Sequence, residues 1–157
     1  MSKAAPADLS LLLAVVRVGQ ADHQEPLEVW EASVRATHHF LTEADIAALK
    51  PQILHEYFGQ VELFALRGQD AGILAFMGVA GQRLEMLFVR PGHFLQGLGG
   101  RLARHAVQAL GVREVDVNEQ NPGALAFYQR LGFQIAGRSA VDGQGRPFPL
   151  LHLRLMA

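Results

Sequence analysis

The segment RLEMLFVRPGHFLQGLGGRLARHAVQALGVREVDVN, from Arg83 to Asn118, constrains this chain more than any other. It reads as strand, glycine-rich turn, helix and strand. RLEMLFV and EVDVN are short runs of strand-forming residues, and between them Leu98, Leu102, Ala106 and Leu110 recur every fourth position. A helix joining two strands of one sheet crosses over right-handed and leaves them parallel. The glycines add a second constraint. Gly97, Gly99 and Gly100 are costly to order. Placed ahead of a helix, they let an anion reach unpaired N–H groups at the positive helix end with no Cβ in the way. A phosphate or pyrophosphate suits such an end, and a tight connection with no ligand would use the same glycines.

Composition narrows the setting of this unit. At 157 residues, half of them hydrophobic and with no low-complexity run, the chain is expected to form one domain over residues 9–157 behind a loose tail at 1–8. A net charge of −1 gives no electrostatic case for nucleic acid or for an acidic membrane surface. The absence of cysteine removes disulfide and thiolate chemistry and agrees with a reducing compartment. LSLLLAVV falls short of the roughly 20 residues a membrane span needs, and MSKAAPAD lacks a signal-peptide plan. A soluble cytoplasmic protein is expected.

The flanking elements follow from local signals. Leu9 to Val18 reads as a strand. Asp22 is expected to cap a helix running to about His38, with Leu27, Trp30 and Val34 at helical spacing. Thr42 and Asp45 form a capping-box variant for a second helix, which Pro51 should divide into two pieces. VELFALR, GILAFMGV and RLEMLFV, joined by RGQDAG and AGQR, read as an antiparallel meander. After EVDVN, the run NPGALAFYQRLGF is a helix capped by Asn121, with Pro122 in its first turn and Gly132 closing it. Strand QIAGRSAV, a turn at DGQGRP and strand PLLHLRL complete the chain. The expected fold is α/β of the α+β kind: a mixed, largely antiparallel sheet of six to seven strands with helices on both faces.

Two other phosphate motifs fail on residues. A P-loop needs Gly-Lys-Ser/Thr, whereas Gly100 is followed by Arg101 and Leu102. A dinucleotide fold would use Glu114 or Asp116 about 20 residues on, but it would not follow an antiparallel meander. VRPGHFLQGLGGRLARHA instead resembles the acetyl-CoA signature of the GNAT superfamily of N-acetyltransferases, and NEQNPGALAFYQRLGF resembles that family's second signature. The likeness extends over nearly the whole chain. WEASVRATHHFL, VNEQN and GRSAVDGQGRPFPLLHL are similar to a small bacterial subgroup. One departure stands out: Phe94 occupies a slot where the family usually has Gln or Arg, and Leu95 replaces a common glycine. Gln96, Gly97, Leu98, Gly99 and Gly100 still supply N–H groups to a diphosphate, so the departure bears on affinity, and the resemblance implies that Arg101 also belongs to the cofactor site.

The resemblance implies an enzyme that moves an acetyl group from acetyl-CoA directly to a primary amine of a small molecule or peptide, releasing coenzyme A. It implies that the cofactor lies along Leu87, Phe88 and Val89, with an N–H near Phe88 or Val89 holding the thioester oxygen as charge develops. Tyr128 would protonate the leaving thiolate, and Asn121, Leu125 and Tyr128 share one helix face. As a bare residue Tyr128 would also suit the core beside Phe127 and Phe133. Glu85 shares strand parity with Leu87 and Val89, which points it at the cleft as a general base, or leaves it a solvated edge carboxylate. His38 would wall the acceptor site with Trp30, or would serve as a helix C-cap. The pocket is expected from Trp30, His38, Phe40, Phe64, Phe76 and His152, apolar and without a carboxylate cluster. The seven histidines show no ligand spacing, so no metal is expected. The chain would act as a monomer or homodimer. A reading from a different class is an acyl-CoA-binding regulatory or sensor module without turnover. Phe94 and the unsettled base suit it, whereas Tyr128 in its motif favours the enzyme.

Overall fold

A computed structural model describes residues 13–68, 72–94 and 96–156 of the chain. The meander sets its centre. β2 (Glu62–Arg67), β3 (Ile73–Ala80) and β4 (Arg83–Val89) pair as antiparallel neighbours, with Gly81 at φ +59° making the tight turn between β3 and β4. β1 (Val15–Arg17) adds to the free edge of β2. The expected tail at residues 1–8 and the beginning of the first strand, 9–12, lie outside the described residues.

Beyond β4 the strand, helix, strand unit forms as its pattern requires. α3 (Leu98–Leu110) buries Leu98, Leu102, Ala103 and Ala106, and β5 (Glu114–Asn118) returns parallel to β4. α4 (Pro122–Arg130) starts where Asn121 accepts the Ala124 N–H at 3.2 Å and ends before Gly132, whose φ of +102° turns the chain. β6 (Phe133–Ser139) and β7 (Leu150–Leu155) follow. The sheet order is β1-β2-β3-β4-β5-β7-β6, so β7 is inserted antiparallel between β5 and β6. Among the described residues, seven strands with one parallel pair make the expected mixed, largely antiparallel sheet.

Helices cover both faces. α1 (Gln24–Thr37) and α2 (Glu43–Gln52) close one core through Val29, Trp30, Val34, Ile46 and Phe76. α3 and α4 close the other through Leu84, Leu102, Val115, Tyr128 and Phe133. The Thr42–Asp45 capping box is formed in both directions, at 2.9 and 3.1 Å.

Two local expectations need correction. Asp22 ends a short 3-10 turn, Gln20–Asp22, and α1 begins after His23 with no side-chain cap. Pro51 lies inside α2 and does not divide it. After Gln52 the chain passes directly into a π-helical segment, Ile53–Tyr57, closed by the Phe58 N–H on the Ile53 carbonyl. Leu102 is fully buried under the parallel strands. Leu102→Ala is expected to lower stability by about 2–5 kcal/mol, measured by urea denaturation. A smaller loss would show that α3 repacks freely.

Candidate active site

The site starts where β4 and β5 separate. Their parallel pairing covers only Arg83 with Glu114 and Leu84 with Val115. The Arg83 guanidinium clamps this seam, reaching Asp116 at 2.7 Å, Glu114 at 3.2 Å and Glu85 at 3.6 Å. Beyond it the strands splay around a slot of about 110 Å³, lined by Glu85 to Phe88, Val115 to Asn118, Asn121, Tyr128 and His38.

Register decides which backbone groups of β4 face the slot. The Arg90 N–H bonds the Leu74 carbonyl of β3 at 2.8 Å, and the pairing runs without a shift from Ala75–Val89 to Gly78–Met86. Alternation along that ladder turns the Phe88 and Met86 amides toward β3 and leaves those of Leu87 and Val89 facing the gap. The expected donor near Phe88 or Val89 is thereby narrowed to Val89, with Leu87 beside it. Phe88 contributes its ring.

A β-bulge corrects the parity argument for Glu85. Gly78 pairs with Met86 and Val79 with Leu84, so Glu85 is the extra residue. Leu84, Leu87 and Val89 all pack toward α3 and α4, whereas Met86 and Phe88 pack toward α1 and α2. Glu85 borders the slot on the α1 side, not alongside Leu87 and Val89. Burial pushes its carboxyl above the ordinary value, against the pull of Arg83.

At one end of the slot the first turn of α3 opens onto a groove of about 540 Å³, lined by Val89, Phe94, Gly97 to Gly100, Arg104, Phe127 and Arg130. Gly97 caps the helix at φ +79°, a left-handed conformation that side chains disfavour. The amides of Leu98, Gly99 and Gly100 precede the first helical bond, which Arg101 makes to the Gly97 carbonyl at 2.9 Å. Arg101, expected at the cofactor site, has its amide taken and does not line the groove. The arginines that line it are Arg104 and Arg130. The Gln96 side chain accepts from His93 Nδ1 at 3.1 Å and is not part of the lining.

Tyr128 enters the slot from the α4 side. It is 7% exposed, and its ring meets Phe127 and Phe133 edge-on, so it is both a core residue and a slot residue. Its hydroxyl has no hydrogen-bond partner among the described residues, and burial pushes the phenol above its ordinary value, keeping it protonated. Asn121 lines the same slot with its Oδ1 engaged by Ala124.

On the α1 side the slot meets two adjoining cavities of about 540 and 260 Å³, which share Tyr57, Glu85, Met86, Asp142 and Arg146. Trp30, His38, Phe40 and Phe148 wall the smaller one, and Asp116 joins the larger. Three carboxylates thus converge where none was expected to cluster. Phe64 packs elsewhere, against Arg17 and His105, and Phe76 is fully buried. His152 sits in a cross-strand chain, 2.7 Å from both Asp116 and Ser139. Arg104, Tyr57, Asp142 and Arg146 escaped sequence reading because they come from separate elements. No group of three His, Cys, Asp or Glu among the described residues could hold a metal, and no described helix is long and apolar enough to cross a membrane.

The profile of the family described as "Acetyltransferase (GNAT) domain" matches residues 57–135, which run from before β2 into β6 and include the α3 groove and every slot residue named above except His38. A curated relative, the peptidyl-lysine N-acetyltransferase YjaB of Salmonella typhimurium, is 35% identical over 143 residues, 88% of this chain and 97% of the relative. The chain belongs to the GNAT acetyltransferase family. The solution structure of apo YjaB from Escherichia coli superimposes on this GNAT fold with a TM-score of 0.80 at 32% identity, covering 92% of this chain and 98% of that one. A coenzyme A complex of the PaiA N-acetyltransferase from Thermoplasma acidophilum shares the fold, with a TM-score of 0.70 at 16% identity over 92% and 99% of the two chains. As a GNAT acetyltransferase the chain is an acyltransferase.

The raised Glu85 carboxyl has a sign that can be measured. A group whose folded pKa exceeds its unfolded one favours folding when protonated, and that advantage is lost as pH rises through the folded value. Glu85→Gln is expected to be more stable than the parent at about pH 7, with the gap closing at about pH 4, where free carboxyls protonate. Urea melts at the two pH values test this. A gap that widens on acidification would show that the Arg83 attraction dominates.

Proposed function

We propose that this chain transfers an acetyl group from acetyl-CoA directly to the primary amine of a lysine-like side chain, presented by a peptide or a small molecule. The observation that carries this reading is the succession of three spaces along β4. The α3 groove reaches Val89, the slot takes the strand from Phe88 back to Leu84, and the slot shares His38, Glu85, Met86, Phe88 and Asn118 with the smaller cavity on the α1 side. The curated YjaB relative supports the lysine part of the reading by its description as a peptidyl-lysine N-acetyltransferase. An ammonium on an aliphatic stem also matches cavities with Glu85, Asp116 and Asp142 set among Met86, Leu49 and Leu150.

The residues fit a diphosphate at the groove. Three amides stand at a helix N-terminus behind a left-handed glycine, and Arg104 and Arg130 line the same wall. Acetyl-CoA would supply an activated thioester there. Leu98, Gly99 and Gly100 would donate N–H groups, and Arg104 would add positive charge. Leu87 and Val89 would pair their free amides with the ligand arm, that of Val89 standing nearest the reacting carbonyl. Tyr128 would protonate the departing thiolate; its neighbour Asn121 holds the start of α4 in place. Trp30 and His38 would wall the amine.

Tyr128→Phe removes only the hydroxyl. Its thiol-release rate with acetyl-CoA and lysine peptides is expected to fall by roughly 100- to 10,000-fold, the usual span of a general acid, while calorimetric binding of coenzyme A is unchanged. Full turnover by this variant would remove Tyr128 from the chemistry. Gly97→Ala forces a side chain into a left-handed position at a cost of roughly 1–2 kcal/mol. Coenzyme A affinity should fall about tenfold if that strain is relieved by displacing the amides. Unchanged calorimetric affinity would place the diphosphate elsewhere.

A further inference from the structure

We infer that His38 is the general base of the transfer, accepting the amine's proton on Nε2, and that the Thr37 hydroxyl holds the imidazole in the tautomer this requires. The inference rests on the acetyl-transfer reading above and adds the group that discharges the amine.

The tautomer follows from counting hydrogens. The Thr37 hydroxyl has one, and it donates it to the Ser33 carbonyl at 2.8 Å, a group that can only accept. The same Oγ1 lies 2.8 Å from His38 Nδ1. Both contacts are hydrogen bonds at once only if the ring donates to the hydroxyl, which assigns the proton to Nδ1. Nε2 of the neutral ring is then a bare lone pair, and it has no protein partner among the described residues.

The ring is also held in place. His38 closes α1, donating its backbone N–H to Val34 at 2.8 Å and accepting from Leu41 at 2.9 Å. Its imidazole packs against Phe40 and Phe88, with centroids 5.4 and 6.2 Å away. It lines the slot that contains Tyr128 and the cavity that contains Glu85 and Asp142, so it stands at the junction of the two.

Burial keeps this imidazole below its ordinary pKa, and neighbouring His39 acts in the same direction. The ring is accordingly neutral near pH 7, in the form that can accept. Glu85 and Asp116 face the same spaces from the sheet, Asp142 and Arg146 from the loop before β7, and Tyr57 and Tyr128 present phenols. Glu85 is poorly placed to be the base, because Arg83 already engages it. Its charge serves better to attract the ammonium.

The step balances as follows. The ammonium gives one proton to His38 Nε2, and the freed lone pair forms the N–C bond at the thioester carbon. The C–S bond breaks and the thiolate takes the Tyr128 phenol proton. The surplus proton on the new amide nitrogen returns to the phenolate, and the imidazolium releases its proton to water. The products are the acetylated amine, the free thiol and one proton.

The test has two readouts. Nitrogen-15 NMR of the whole chain should show the neutral His38 ring protonated on Nδ1 and titrating below the ordinary 6.5, with Thr37→Val giving a tautomer mixture and Thr37→Ser restoring the parent signal. In thiol-release kinetics with acetyl-CoA and lysine peptides, His38→Gln should lose roughly 100- to 10,000-fold in kcat/KM, together with the acidic limb of the pH profile, at unchanged coenzyme A affinity. Thr37→Val should lose roughly 10- to 100-fold in kcat, as a misdirected catalytic group does, and Thr37→Ser should recover it. Thr37→Val keeps the test open if His38→Gln does not fold. A ring protonated on Nε2 overturns the inference, as does a folded His38→Gln variant within about twofold of the parent rate when a base should be worth at least 100-fold. In the second case, a dead Glu85→Gln variant would assign the base to the sheet and leave acetyl transfer intact. A parent protein that binds coenzyme A but releases no thiol with any amine would remove the acetyl-transfer reading and the base with it.

Discussion

β4 and β5 are joined by only two residue pairs, and the Arg83 guanidinium gathers Glu85, Glu114 and Asp116 at that seam. Single ion pairs of this exposure contribute little. Here one cation answers three carboxylates on two strands, so its loss would leave like charges facing each other across the narrowest part of the sheet. Beyond the seam the two strands present amides and carbonyls that no neighbouring strand satisfies. Buried backbone polar groups require partners. A sheet that parts this way leaves those groups to water or to a ligand that can pair with an extended strand, and the helix that begins at Gly97 offers positive charge at the end of the same gap.

The far half of the sheet keeps the gap from closing. β5 is held on its other edge by β7, and Asp116, His152 and Ser139 form a chain of 2.7 Å contacts running from β5 through β7 to β6. Asp116 also grips Arg83 at 2.7 Å. The chain has the residue types of a hydrolytic triad, yet Ser139 and His152 line none of the cavities described above. Its consequence is mechanical: it ties four strands together across the open face, so that the splay is a fixed feature of the backbone.

What could be read in the sequence was whatever is decided within a turn or two. The Thr42–Asp45 box, the Asn121 cap with Pro122, the fourfold spacing of α3 and the β3–β4 turn at Gly81 are local contests between a few residues, and they came out as expected. The failures share a longer range. A bulge opposite Gly78 and Val79 reversed the parity argument for Glu85, because one inserted residue flips every side chain beyond it. The donor in β4 could not be narrowed to Val89 without the register against β3. Arg104, Tyr57, Asp142 and Arg146 meet only through tertiary folding, so the carboxylates of the acceptor side were invisible in one dimension. Pro51 misled because it stands one residue before the end of α2, where the helix is already about to turn π-helical.

One property of the slot unites two of its titratable groups. Tyr128 reaches it from the α4 face and His38 from the α1 face, and burial acts on both by disfavouring charge. The consequence is opposite in the two residues. A phenol denied its anion keeps its proton, and an imidazole denied its cation keeps its lone pair. The same burial would suit the acid proposed on one side of the sheet and the base proposed on the other. Glu85 and Asp116 line the slot as well, and both are engaged by Arg83, so the negative charge nearest the two groups is already partnered.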